Sequence, residues 1–471
     1  MHIYTLSATE IVAKIKACEL SCVEVATAFI DRIKAVNPAI NAIHQFDPAR
    51  ILADARQKNM DIQSGKKLGK LHGLPISLKD SFYAPGFRGA KGCIHLFHAS
   101  ATDKAATIVQ RLLDEGAIIL GITNAPEFCA AFETDNALNG RTNNPYDLNR
   151  TPGGSSGGEA ALIAAGGSPI GIGSDAGGSI REPAHYCGIS GIKPSKGLVP
   201  TTGNVPNDAG GMHSNLLCYG PMARHVEDLE LILSVIAGTD DGDPASVPIP
   251  LQTSNMVDVS KLDVIYFLDN TEKSPDTDTM QNIESAIEKL SPHVKSMTIV
   301  SLPDILKETY RLVWEPYFMG GDQGKTFLQG LSELKEPKFA PLLRRYLKDM
   351  QTLSFDTAEL RLRITQMHQY KQAFLKLMAN AAILLCPVSA TPARLHGTTH
   401  DNLKDYTYTM MPNLTGAPAA SVNCGFSKEG LPIGLQIIAK PWQDHKVLAF
   451  AKMTQDVFGI PNVVNVNKQK E

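Results

Sequence analysis

The chain has 471 residues, 43% of them hydrophobic and 20% charged, with a formal net charge of −3. This is ordinary globular composition without a basic footprint, which argues against nucleic acid as a main partner. With no apolar run of about 18 residues and no basic-then-apolar N-terminus, neither a membrane-spanning segment nor a signal peptide is expected, and a cytoplasmic protein is.

Taken alone, the length suggests two or three domains. The eight cysteines are scattered among apolar neighbours and read as reduced, buried thiols. Cys18 and Cys22 stand at helical i, i+4 spacing, which does not by itself make a metal pair. Neither metal nor cofactor is expected.

Ser7 lies three residues before Glu10, the spacing of a capping box, and predicts a first helix. A second helix is expected from Ser21, with Val25, Phe29, Ile30 and Ile33 on one face and its end at Asn37–Pro38. Residues 49–58 read as a third. Residues 72–82, HGLPISLKDSF, fit a short buried strand ending at Lys79–Asp80. A lysine in such a run is unusual, and by itself it reads as a strand-end side chain reaching solvent. Residues 105–115 are an amphipathic helix and 117–121 a buried strand, one unit of an α/β fold. Then comes residues 153–183, GGSSGGEAALIAAGGSPIGIGSDAGGSIREP.

Composition shifts at 239–258, an Asp/Pro/Ser-rich excursion. Strands are expected at 262–268, 294–302 and 381–388, and helices at 280–290 and 442–457. Residues 306–378 read as largely helical, and 407–436 as β-like segments punctuated by Gly and Pro. The architecture that follows is α/β, a large mixed sheet covered by helices on both faces.

The two glycine loops of residues 153–183 carry Ser155, Ser156 and Ser179. Glycine lets backbone N–H groups approach a ligand, which suits a phosphate cradle or an oxyanion hole. GGSSGGE lacks the Gly-Lys-Ser/Thr ending of a phosphate loop. Residues 153–157 match the G-x-S-x-G elbow, but after a long loop rather than a strand, and that reading leaves Ser179 unexplained. A third reading, a Ser–Ser–Lys relay of Lys79, Ser155 and Ser179, joins all the odd features.

Here the sequence resembles the amidase signature family. The resemblance is carried by GLPISLKD at 73–80, PGGSSGGEAAL at 152–162 and GIGSDAGGSIREPAHYCGISGIKP at 171–194, with weaker similarity through 220–229, 413–426 and 430–438. It implies a single domain over 1–471, with a catalytic core at 70–230 and a variable helical region at 300–380 walling the substrate site. It implies Ser179 as nucleophile, Ser155 as bridging serine and Lys79 as base, with Ala176, Gly177, Gly178 and Ser179 as the oxyanion hole and a cis Gly154–Ser155 peptide. Lys79 then has to be largely neutral near pH 7–8, about 2–3 units below an ordinary lysine, or roughly 3–4 kcal/mol against the charged form. Burial supplies that kind of shift. Ser156 is expected to position Ser179 or Lys79, Asp175 and Arg181 to form a partly buried pair fixing the loop, and Asn124, with Thr123 and Glu127, to line the site or cap a turn. His185 and Cys187 read as core.

The expected activity is amide hydrolysis through an acyl-enzyme on a small-molecule amide, with self-association into a homo-oligomer left open. The resemblance has two branches, stand-alone amide hydrolases and the glutamine-hydrolysing A chain of tRNA-dependent amidotransferases. The second typically carries Asp about seven residues before the Asn of its N-L-x-G segment. Counting back from Asn413 gives Tyr406, with Asp405 one place off, which favours the first branch. A catalytically inactive binding protein on the same fold is the remaining alternative.

Overall fold

The structure, a computed structural model, describes residues 2–97, 102–205, 211–331 and 338–466. Parts of residues 197–211, rich in Gly, Pro and Asn, and of the expected helical region 306–378 lie outside the described residues.

The described residues form one eleven-stranded sheet, in the order β1-β3-β2-β4-β6-β5-β10-β11-β9-β7-β8. Its strands are β1 (Ile43–Phe46), β2 (Pro75–Lys79), β3 (Ile118–Thr123), β4 (Ile170–Asp175), β5 (Ser190–Lys193), β6 (Cys218–Ala223), β7 (Asp263–Tyr266), β8 (Ser296–Ile299), β9 (Ile383–Pro387), β10 (Ala419–Phe426) and β11 (Pro432–Ile438). Pairing is mixed: β2 runs parallel to β3 and β4, while β4 runs antiparallel to β6. Every residue of β2, β3, β4 and β6 is buried, so the centre of the sheet is covered on both faces. The helix Gly157–Ala164 packs on β4 and β6, Val226–Ile236 on β6, and Asp444–Phe458 on β10.

Local rules account for much of this. Ser7 and Glu10 form a complete capping box for the helix Ala8–Lys16, and Ser21 and Glu24 form a second for Cys22–Ile40. Two expectations are corrected. The helix Cys22–Ile40 runs through Pro38 and stops at Asn41, which takes a left-handed φ of 49°. Pro38 in the last turn forfeits one N–H bond to the turn before, and the Asn37 carboxamide oxygen accepts from Ala42 and Ile43 N–H as the chain departs. The segment Thr407–Thr415, expected to be β-like, is a helix whose first eight residues are all buried. A helix buried all round shows no amphipathic period, so its β-branched and aromatic residues misled. The region around residue 314 holds a π-helical stretch, Tyr310–Met319, and the long helix Thr357–Leu377. Six of the eight cysteines are buried, but Cys18 is exposed and Cys129 half-buried; all eight are free thiols.

Candidate active site

β2 lies between β3 and β4 and ends on Lys79, which is fully buried. The lysine therefore does not reach solvent as its isolated motif suggests. Its Nζ lies 2.7 Å from Ser155 Oγ, 2.8 Å from Ser174 Oγ and 3.3 Å from the Ser174 carbonyl oxygen. Burial drives the amine below its ordinary value, and Lys91 adds to the shift against the pull of Cys129 and Asp175. The Ser155 and Ser174 oxygens thus enclose the amine as hydrogen-bond partners.

Ser174 was missed by sequence reasoning. Register is the signal that finds it: Leu78 pairs with Ile172 in the parallel β2–β4 ladder, which puts Ser174 just past the end of β2. Ser174→Ala is expected to leave the fold intact and to lower kcat about 10–100-fold with little change in KM, because Lys79 loses the contact that aims it. Steady-state kinetics of the purified variant checks this.

The Gly154–Ser155 peptide is cis, as the resemblance implies. The loops of the two serines adjoin: Ser156 N–H donates to the Ser179 carbonyl at 3.1 Å. Among the described residues no hydrogen bond joins the Ser155 and Ser179 hydroxyls, and Ser179 is half-buried. Ser156 Oγ donates to the Ser174 carbonyl at 3.4 Å, so Ser156 ties together the groups around Lys79.

The Ser179 loop is held from below by Asp175. Its carboxylate accepts from Gly178 N–H at 2.8 Å and Ile180 N–H at 3.1 Å, and meets the Arg181 fork at 3.0 and 2.9 Å. Both side chains are 0% exposed, so the pair is wholly rather than partly buried. Burial alone pushes the carboxyl up, but the Arg181 charge and hydrogen bonds from Arg181 and Asn413 hold it down at about 2. The remaining Arg181 donors reach Gln436 at 2.7 Å and Asn413 at 2.6 Å. Because Gly178 N–H is spent on Asp175, it is withdrawn from the expected oxyanion set. Ala176, Gly177 and Ser179 keep N–H groups with no partner among the described residues.

Asn124 closes a turn, one of its two expected roles. Its amide donates to Gly140 O and Thr142 Oγ1, both at 3.0 Å, and its oxygen accepts from Asn136 at 2.7 Å, knotting the loop after β3. Thr123 donates to Glu159 at 2.8 Å, while Glu127 accepts from Ala340 N–H at 2.9 Å. Glu159 is fully buried, also accepts from Ser77, and is pushed up to about 8 chiefly by burial. His185 and Cys187 are core: the imidazole joins Thr391 O at 3.0 Å and Gly434 N–H at 2.7 Å.

The helical region reaches the Ser179 loop. A Cβ on Gly177 would come within 2.9 Å of Phe318 Cζ, so glycine permits that approach. Phe318 stacks on Trp314 at 4.8 Å and meets the His213 ring edge-on at 5.4 Å.

Fold and site together define a class, the amidase-signature hydrolases of amide C–N bonds. A family model described as Amidase matches residues 24–448, and the chain belongs to the amidase family. It is 35% identical to the A chain of the glutamyl-tRNA(Gln) amidotransferase of Carboxydothermus hydrogenoformans, over 96% of this chain and 97% of that one. It is 31% identical to human fatty-acid amide hydrolase 2, over 96% and 89%. Among solved structures, a bacterial aryl acylamidase of the amidase signature family superimposes with a TM-score of 0.83 at 26% identity, covering 96% of both chains. A fatty acid amide hydrolase does so with a TM-score of 0.86 at 26% identity, covering 97% of this chain and 86% of that one. Among the described residues no helix is long and apolar enough to cross a membrane.

Proposed function

We propose that the chain hydrolyses small-molecule amides through a relay of Lys79, Ser155 and Ser179. The observation that carries this reading is a fully buried lysine 2.7 Å from the hydroxyl of Ser155. Neutral Lys79 takes the Ser155 proton while Ser155 takes that of Ser179, whose Oγ attacks the carbonyl carbon. The negative charge develops on the carbonyl oxygen, facing the free N–H groups of Ala176, Gly177 and Ser179. Each such donor is worth roughly 3–4 kcal/mol in comparable sites. Collapse breaks the C–N bond, the relay returns the proton to the leaving nitrogen, and water releases the acid from Ser179 by the same steps.

The substrate divides the reading in two. Similarity to the A chains of glutamyl-tRNA(Gln) amidotransferases favours glutamine as the amide, and this is the better-supported branch by sequence comparison. The site favours a stand-alone hydrolase of less polar amides. Asp405, the carboxylate nearest the expected glutamine-binding position, pairs with Arg394 through Oδ2, while its Oδ1 has no partner among the described residues. Tyr406 stacks on Phe132 at 4.0 Å, and Phe318 and Trp314 give the Ser179 loop an apolar wall.

The test is labelling with a fluorophosphonate followed by turnover of glutamine, aryl anilides and aliphatic amides. One adduct on Ser179 is expected, with acid and amine or ammonia released in equal amounts. An adduct on Ser155 with Ser179 untouched overturns the role assignment. Glutamine turnover alone, together with co-purifying partner chains, selects the amidotransferase branch.

A further inference from the structure

Glu182 is a buried acid for which the relay has no use. It begins the helix Arg181–Cys187 directly after the Ser179 loop and is 0% exposed. Its backbone N–H donates to the Gly178 carbonyl at 2.8 Å, one residue before Ser179. Its carboxyl Oε2 accepts from Gly154 N–H at 2.9 Å, one residue before Ser155. One residue thus grips both loops, each beside its serine. The approach is close: a Cβ on Gly153 would collide with Oε2 and stand 2.8 Å from Oε1. Gly153 takes a φ of 85°, and its own carbonyl accepts from Thr134 Oγ1 at 2.8 Å, which turns the loop toward the acid.

We propose that Glu182 is a positioning residue that sets Ser155 against Ser179 through Gly154. This inference rests on the relay reading above.

The carboxyl has one hydrogen-bond donor, and its Oε1 has no partner among the described residues. No cation among them compensates it, because the neighbouring Arg181 is committed to Asp175, Gln436 and Asn413. The titratable groups around it are Glu133 from the loop after β3, Asp175 at the end of β4, Tyr406 before the helix Thr407–Thr415, and Tyr186 and Cys187 on its own helix. Burial pushes Glu182 well above the usual carboxyl range, with Glu133 and Asp175 adding to the rise and the Gly154 N–H opposing it. The strut is the bond from Gly154 N–H to Oε2, which the carboxyl accepts in either protonation state.

The experiment is the rate of fluorophosphonate reaction at Ser179 in the full chain at neutral pH. Glu182→Gln keeps the acceptor and is expected to react within about threefold of wild type. Glu182→Met removes the acceptor at similar volume and is expected to react about 100-fold more slowly. Equal rates in a folded Glu182→Met overturn the inference. A Glu182→Gln rate about 100-fold below wild type overturns it as well, without needing the Met variant to fold. Absence of a Ser179 adduct in wild type instead sinks the relay reading itself.

Discussion

Lys79→Ala is expected to lower kcat/KM for any amide the wild-type chain hydrolyses by about 10³–10⁴-fold at mildly alkaline pH. In the proposed relay Lys79 is the one base, and neither serine can replace it. The pH dependence follows from the direction of the shift. Burial favours the neutral amine, so the midpoint of the wild-type acid limb lies below the ordinary lysine value, and activity rises with pH through that midpoint. Below it Lys79 is protonated and cannot accept from Ser155. The variant's residual rate is expected to lack that limb. Stability carries the same signature with the opposite benefit. The unfolded chain binds a proton that folded Lys79 does not, so stability is greatest above the unfolded lysine value of about 10.4 and is lost as pH falls toward the folded one. Lys79→Met removes that penalty and is expected to be more stable than wild type at neutral pH. Turnover unaffected by Lys79→Ala would show that the base lies elsewhere.

Arg181→Met is expected to cost about 3–5 kcal/mol of stability and to abolish labelling of Ser179. The guanidinium is 0% exposed and joins Asp175 at the end of β4, Gln436 on β11 and Asn413 in the buried helix. Removing it leaves the Asp175 carboxylate buried without its countercharge, and that carboxylate holds Gly178 and Ile180 on either side of Ser179. Asp175→Asn in the Arg181→Met background is expected to recover part of the stability, since it removes the orphaned charge. Because Asp175 titrates at about 2, the pair's contribution is present above the unfolded aspartate value and is lost only as pH falls through about 2. Denaturant titrations of the three chains decide this. A loss under about 1 kcal/mol in Arg181→Met would mean that the pair does not carry the loop.

The parts of the site legible in the sequence are those written as local chemistry. Glycines beside Ser155 and Ser179 announce backbone approach, and LPISLKD announces a lysine inside an apolar strand. The residues missed are those whose meaning depends on what packs against them. Ser174 reads as one more small residue in a glycine-rich run until β4 is laid parallel to β2, and Glu182 carries no local signal until Gly153 and Gly154 are folded onto it. Asn124 left two readings open, lining the site or capping a turn, and its hydrogen bonds close a loop.

The sequence by itself determined the caps, the buried strands and the two glycine-rich serine loops, because these follow from spacing, hydrophobic period and the conformational freedom of glycine. Tertiary structure alone decided which groups meet. Lys79 and Ser155 are 76 residues apart and touch at 2.7 Å, because parallel pairing carries β2 alongside β4 and the helix after Ser156 packs back on that sheet. It also decided protonation and donor supply. Burial by the sheet and its helices lowers the Lys79 amine, and the Gly178 N–H is taken up because Asp175 lies beneath the loop.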